Sequence, residues 1–176
     1  MPDAPIEEPD ISKEHFEAVG RATNAWATFE FYIDRLIWWV ANVAEPIGAC
    51  ITAQYIGPAP RFRALAALVK LQGGSAELVT SINKLSAAAQ GVAAERNRWA
   101  HDPMFVDVES GEVFRHQVTA DRTLIIELKP AAASDIASLE KKIWTTVNEF
   151  KTLADNIRRE LSPSRSRPVQ SPPTGT

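Results

Sequence analysis

The chain has 176 residues, a single cysteine and a formal net charge of −3. This length allows one domain with a buried core, and the acidic balance argues against broad, non-specific binding of nucleic acid. One cysteine permits no intrachain disulfide and no cysteine-based zinc site. The acidic segment 1–10 has no signal-peptide pattern, and the most apolar stretch, 29–43, is too short and too charged to span a bilayer. These features favour a cytoplasmic protein, with neither a membrane nor DNA as a partner.

A first long helix is predicted between Ile11 and Val43, because apolar or small residues recur three and four positions apart. The stripe consists of Ala22, Ala25, Trp26, Phe29, Ile33, Leu36, Val40 and Val43. Four aromatic residues lie off this stripe, namely Phe31, Tyr32, Trp38 and Trp39. They predict a second packing surface, which either a shorter helix of the same chain or a partner subunit would cover.

Two further helices are predicted in the middle of the chain. Residues 45–60 are rich in proline and glycine and form a connection, with one helical turn around 51–55. A second helix runs from about Arg61 to Gln72. A third runs from about Ala76 to His101 and is stopped by Asp102-Pro103. Its stripe consists of Leu78, Ile82, Leu85, Ala89, Val92, Arg96 and Trp99.

Between the third helix and the last one, the spacing of the apolar residues changes from a helical period to a strand period. Between 104 and 129 the apolar residues alternate, which predicts a two- or three-stranded meander. A helix then follows Ser134, with apolar residues at bundle spacing as far as Leu161. The predicted fold is all-α, a four-helix up-and-down bundle over 11–161 with a small β-hairpin or meander insertion before the last helix. Segment 1–10 is predicted to be a flexible acidic N-terminus and 162–176 a disordered tail.

The segment from Glu95 to His101 contains the candidate functional residues. Arg96 occupies a stripe position that the preceding turns fill with apolar residues or alanine, and a guanidinium is costly there unless it is paired or faces a polar cavity. Asn97 and His101 lie four residues apart, so their side chains are neighbours on one face. Arg96 lies farther round the helix, and only its length lets it reach the same space.

Two interpretations of these residues stay open on geometry alone. In the structural one, His101 merely sits at a helix C-terminus, where the helix dipole favours a cation, and Arg96 pairs with a carboxylate such as Glu30 or Glu95. In the functional one, Arg96, Asn97 and His101 form a site at a pocket or a subunit boundary.

The string Arg96-Asn97-x-x-x-His101 resembles the signature of HEPN domains, which is an arginine, usually followed by a polar residue, and a histidine four to six residues after the arginine. Its place near the end of the third helix agrees with that family. The first-helix string 26–30, Trp-Ala-Thr-Phe-Glu, is also similar to the start of many such domains. The likeness covers about residues 12–160, while the motif itself is short, so the bundle context carries much of its specificity.

This resemblance implies a homodimer whose two motifs face each other, and metal-independent cleavage of RNA in active members. His101 would move protons at the ribose 2′-OH and the leaving 5′-oxygen, Arg96 would hold the phosphate, and Asn97 would orient the phosphate or the imidazole. No cofactor and no metal are implied. A toxin or defence effector restrained by an antitoxin protein is one form of this hypothesis. A catalytically inactive dimerisation or RNA-binding module is the alternative.

The other reactive side chains suggest no site. His15 and His116 have no partners at metal-ligand spacing, and Cys50 is expected to be a small buried residue rather than a nucleophile. Glu30 lies among apolar neighbours on the first helix and is a candidate partner for Arg96.

Overall fold

The computed structural model describes residues 11–121 and 123–162, which form five α-helices and three β-strands. In chain order they are α1 Lys13–Ala41, α2 Glu45–Thr52, α3 Pro58–Leu71, α4 Ala76–His101, β1 Met104–Val106, β2 Val113–Asp121, β3 Thr123–Pro130 and α5 Ala133–Leu161. The prediction of a mostly helical chain with a β meander before the last helix is confirmed. The expected flexible segment 1–10 and all of the expected tail beyond Ser162 lie outside the described residues.

The chain divides into two compact units that share the three long helices. Of the described residues, the first unit contains 11–29 and 91–145, and the second contains 30–90 and 146–162. No helix in the described ranges combines the length and the apolar character that a membrane span requires.

The first unit joins parts of α1, α4 and α5 with the three-stranded sheet. Its buried apolar side chains come from all three helices, and they include Ala22, Trp26, Phe29, Trp99, Ile136, Leu139 and Ile143. The strands follow one another in space in the order β1-β2-β3, and both pairings are antiparallel. Arg115 opposes Met104 on one side and Lys129 on the other.

The second unit has a buried arginine beside its apolar core. Arg61, near the start of α3, is only 8% exposed. Its Nε donates to Asp34 Oδ1 at 2.9 Å, and its Nη1 lies 3.4 Å from Glu30 Oε1. Nη1 also donates to the backbone carbonyls of Tyr55 and Gly57, each at 3.0 Å. The guanidinium therefore joins two carboxylates on α1 to the loop that precedes α3.

Helix α2 covers part of the aromatic surface of α1, as the same-chain interpretation predicts. The Trp38 indole N–H donates to Thr52 Oγ1 at 3.2 Å. The Trp38 ring leaves no room for a Cβ at Gly48, so the ring packs directly on the backbone of α2. Phe31 remains 51% exposed.

Two local expectations were wrong. The connection contains the two-turn helix α2 at Glu45–Thr52 rather than one turn at 51–55, because Pro46 lies in the first helical turn, where its missing N–H costs nothing. Cys50 lies on the outer side of this short helix and is exposed.

Candidate functional site

The last turns of α4 bring Asn97 and His101 to one open cavity. Both side chains are exposed, and α4 ends where the Asp102 N–H closes a last helical bond to the Arg98 carbonyl at 2.9 Å. The cavity has a volume of about 500 Å³. Its lining comes from α4, the residue after it and β2, and consists of Ala94, Asn97, Arg98, His101, Asp102, Val118 and Thr119. The predicted proximity of Asn97 and His101 is therefore seen in the structure.

Arg96 does not line the cavity but is joined to it through Asn97. Its Nη1 donates to Asn97 Oδ1 at 2.9 Å. The centre of the guanidinium lies 5.8 Å from the centroid of the buried Trp26 ring. The guanidinium thus contacts both the buried Trp26 ring and Asn97 on the polar face of α4.

The carboxylates expected to pair with Arg96 pair with other residues. Glu30 contacts Arg61, and Glu95 accepts hydrogen bonds from Lys142 Nζ at 2.9 and 3.0 Å. Within 11–121 and 123–162, Arg96 forms no ion pair, and its Nε is buried without a hydrogen-bond partner. The structural interpretation of Arg96 as half of a salt bridge was therefore wrong for both proposed partners.

A second arginine, Arg115 of β2, lies behind the cavity. It is 8% exposed, and its guanidinium stacks 4.4 Å from the Trp99 ring centroid. Its Nε lies 3.8 Å from Asp102 Oδ2, which is too long for a hydrogen bond, and both atoms are buried without hydrogen-bond partners. Burial lowers the pKa of Arg115, and the nearby charge of Asp102 opposes this shift. Arg115 therefore compensates much of the negative charge that Asp102 brings to the cavity.

Sequence reasoning missed Arg98, Asp102 and Arg115 as neighbours of the site. Asp102 was considered only as part of the helix stop. The signal for Arg115 was present in the strand alternation, because Arg115, Gln117 and Thr119 form a polar row, whereas Phe114 and Val118 on the opposite face of the strand are apolar. That row faces α4, so the polar side of the meander lies against the helix.

The remaining histidines have structural contacts. His15 Nε2 lies 2.8 Å from the Ala131 carbonyl oxygen, and its Nδ1 lies 2.7 Å from Ser12 Oγ. The His116 ring makes an edge contact with Phe105, with 6.5 Å between the centroids. In the part of the chain that the structure describes, no group of three or more His, Cys, Asp or Glu side chains could hold a metal ion.

The contacts of Arg96 predict a small stability cost for its removal. Arg96→Ala strands no described carboxylate, so the loss is mainly its contact with Trp26, worth about 0.5–1 kcal/mol for a partly exposed cation–π pair. We expect the midpoint of thermal unfolding to fall by no more than about 4 °C. Calorimetry beside Arg63→Ala, an exposed arginine on α3, measures this, and a loss of several kcal/mol would restore a structural role for Arg96.

No family model matches the chain, and no curated protein and no solved structure matches it either.

Proposed function

We propose that the protein is a metal-independent endoribonuclease of the HEPN type, a four-helix up-and-down bundle that acts as a homodimer through Arg96, Asn97 and His101. One observation carries the proposal. A guanidinium without a carboxylate partner in the described chain is hydrogen-bonded to Asn97, whose side chain shares an open cavity with His101.

The three side chains have the chemistry that this reaction needs. A histidine accepts the proton of the ribose 2′-OH, and the freed O2′ attacks the adjacent phosphorus. The bond from phosphorus to O5′ breaks, and a protonated histidine gives its proton to the leaving oxygen. Arg96 stabilises the charge that develops on the phosphate oxygens, and Asn97 fixes the guanidinium through the 2.9 Å hydrogen bond.

The charges around the cavity favour an anionic substrate. Arg98 lines it, Arg96 reaches its edge through Asn97, and the carboxylate of Asp102 lies beside the buried Arg115. The local balance is positive even though the whole chain carries a net charge of −3. A site-sized positive region attracts a phosphodiester without conferring broad affinity for nucleic acid.

A homodimer supplies the second proton-transfer group. His101 is the one histidine among the described residues that line the cavity. The reaction needs a base and an acid in the same turnover, and a twofold pair of cavities provides two histidines. The same proposal includes a toxin or defence effector whose activity an antitoxin protein restrains.

Metal removal tests the mechanism. We expect purified protein to cut single-stranded RNA at the same rate in EDTA as in magnesium, because the three side chains supply all the proton transfer and charge stabilisation. A timed gel assay of one labelled RNA measures both rates. Activity that disappears in EDTA and returns with magnesium would contradict the proposal.

A non-catalytic dimerisation or RNA-binding module is the second candidate. It is favoured by the apolar outer face of the sheet, where Phe105, Leu124, Ile126 and Leu128 are each 49–65% exposed. RNA that is bound but left intact by the wild-type chain would support this candidate over the nuclease.

A further inference from the structure

The edge strand β3 presents an apolar strip that the described chain leaves uncovered. Among the described residues, β3 pairs only with β2. Leu124, Ile126 and Leu128 are 65%, 60% and 64% exposed. An exposed apolar edge strand offers unpaired backbone groups to another strand, and proteins usually protect such edges with charge, proline or a covering segment. Here the apolar strip extends over most of the strand.

The register shows which backbone groups of β3 are free. The Ala131 N–H donates to the Val113 carbonyl at 2.8 Å, so this pair is hydrogen-bonded. In an antiparallel ladder hydrogen-bonded pairs alternate with non-hydrogen-bonded pairs, so Ile125, Glu127 and Lys129 direct their N–H and C=O groups towards β2. Leu124, Ile126 and Leu128 direct theirs away from the sheet. The outward backbone groups therefore belong to these three apolar residues and, at the end of the strand, to Pro130, which has no N–H.

We propose that β3 pairs antiparallel with β3 of a second copy about a twofold axis at Ile126, and that this pairing assembles the composite site. Leu124 then opposes Leu128 of the partner subunit, Ile126 opposes Ile126 of the partner subunit, and the reverse contacts follow by symmetry. The strand segment 123–129 is paired along its whole length. Each copy contributes the same self-complementary pattern, as an isologous interface requires.

The charges on β3 select this register. Glu127 already pairs with Lys129 of its own strand at 3.0 Å. An axis at residue 127 would place two glutamates directly opposite each other, which destabilises a sheet. An axis at Leu128 would match Glu127 with the opposite Lys129 but would leave Leu124 and Ile125 unpaired. An axis at Ile126 places no like charges directly opposite and uses every apolar residue of the strip.

This pairing brings the two cavities to the same face of one continuous sheet. Arg115 stacks on Trp99 of α4, so the polar row of β2 and the cavity lie on the α4 face. A twofold axis perpendicular to the sheet keeps both α4 helices on that face. The two β2 strands are then three interstrand spacings apart, about 14 Å. Thr119 opposes Ile125, one residue from the axis, so the two cavities lie near each other across it.

A charge placed on the edge tests the pairing. Ile126→Lys adds a charge at the axis, and its outward backbone groups do not belong to the β2 ladder, so the fold should survive. The matched control is Val108→Lys at a fully exposed position in the β1–β2 loop. We expect light scattering at micromolar concentration to give twice 19.4 kDa for the wild type and the control, and 19.4 kDa for Ile126→Lys. Unchanged circular dichroism verifies folding, and a folded dimeric Ile126→Lys overturns the proposal.

Cross-linking tests the position of the axis. In a Cys50→Ser background, Ile126→Cys places two cysteines in an opposed pair with Cα atoms about 5.5 Å apart, within disulfide range. Leu128→Cys places them about 14 Å apart, beyond that range. We expect rapid oxidation to a covalent dimer for Ile126→Cys only. The converse result overturns the axis at Ile126.

The β3–β3 interface itself does not depend on the proposed function. Only the statement that it assembles the catalytic site rests on the nuclease proposal. If RNA is cleaved and Ile126→Lys remains a folded dimer, the interface proposal falls and the nuclease stands. If Ile126→Cys cross-links and RNA stays intact, the nuclease falls and the interface stands. Loss of the dimer and of at least 90% of the cleavage rate in Ile126→Lys, with both kept in Val108→Lys, supports the two together.

Discussion

Replacing His101 with alanine is expected to lower the rate of RNA cleavage by about 10²–10⁴-fold, the usual effect of losing a general acid or base. The same change should leave stability nearly unaffected. The His101 side chain is exposed beside an open cavity at the end of α4, so its removal opens no hole in the core. Measured on the same preparation, the cleavage rate of His101→Ala should therefore fall while its thermal midpoint stays close to that of the wild type.

The matched control for this prediction is His116→Ala. His116 belongs to the same unit, and its ring contacts Phe105 rather than the cavity lining. We expect this variant to retain the wild-type rate. Equal losses of rate in the two variants would point to a general effect on folding, and full activity in His101→Ala would remove His101 from the mechanism.

Replacing Arg61 with methionine is expected to have the largest effect on stability. Methionine keeps much of the volume but leaves Asp34 and Glu30 without the guanidinium that contacts both. Breaking a buried ion pair from one side typically costs about 3–5 kcal/mol. In a chain of this size that corresponds to a thermal midpoint lower by roughly 6–20 °C.

The control is Arg63→Met, two residues along α3 at an exposed position, where we expect little change. Adding Asp34→Asn to Arg61→Met should recover part of the loss, because the second change removes one of the stranded charges. A small effect of Arg61→Met would show that the arginine does not hold the loop and α1 together.

The loss of stability in Arg61→Met, relative to the wild type, should also depend on pH. Burial raises the pKa of Asp34, and the hydrogen bonds and charge of Arg61 lower it in part. Without Arg61 the pKa rises further, so the folded variant holds a proton on Asp34 that the unfolded chain releases. That stabilisation is fully present below the unfolded pKa and is lost as the pH rises through the folded value. Denaturant unfolding should therefore show that Arg61→Met loses less unfolding free energy, relative to the wild type, near pH 4 than at pH 7.

The long helices were predictable from periodicity alone. Helix α4 begins at Ala76, after Ser75, whose Oγ accepts a hydrogen bond from the Leu78 N–H at 3.3 Å, and it ends at His101, before Asp102-Pro103. Helix α2 was missed because the proline and glycine content of 45–60 predicts a connection, although proline is tolerated in the first turn of a helix, where Pro46 lies. The burial of Arg61 was missed because its partners, Glu30 and Asp34, lie on another helix, and one-dimensional spacing does not show which helices meet.

The part of the candidate site that lies on helix α4 was predictable from the sequence. The four-residue spacing of Asn97 and His101 places them together, and the reach of Arg96 follows from its length. Arg115 and the cavity wall formed by Val118 and Thr119 depend on how the meander lies against α4. That arrangement is tertiary, and no local pattern specifies it.

The chemistry of the RNA ends tests the central claim most directly. Wild-type protein incubated with a single-stranded RNA in EDTA should leave a 2′,3′-cyclic phosphate on one fragment and a 5′-hydroxyl on the other, as attack by the neighbouring 2′-oxygen requires. His101→Ala purified in parallel should leave nearly all of the RNA intact over the same time, because its cleavage rate is expected to be about 10²–10⁴-fold lower. Fragments with 3′-hydroxyl and 5′-phosphate ends, or an equal yield of the same products from the His101→Ala preparation, would contradict the assignment of this site as the nuclease centre.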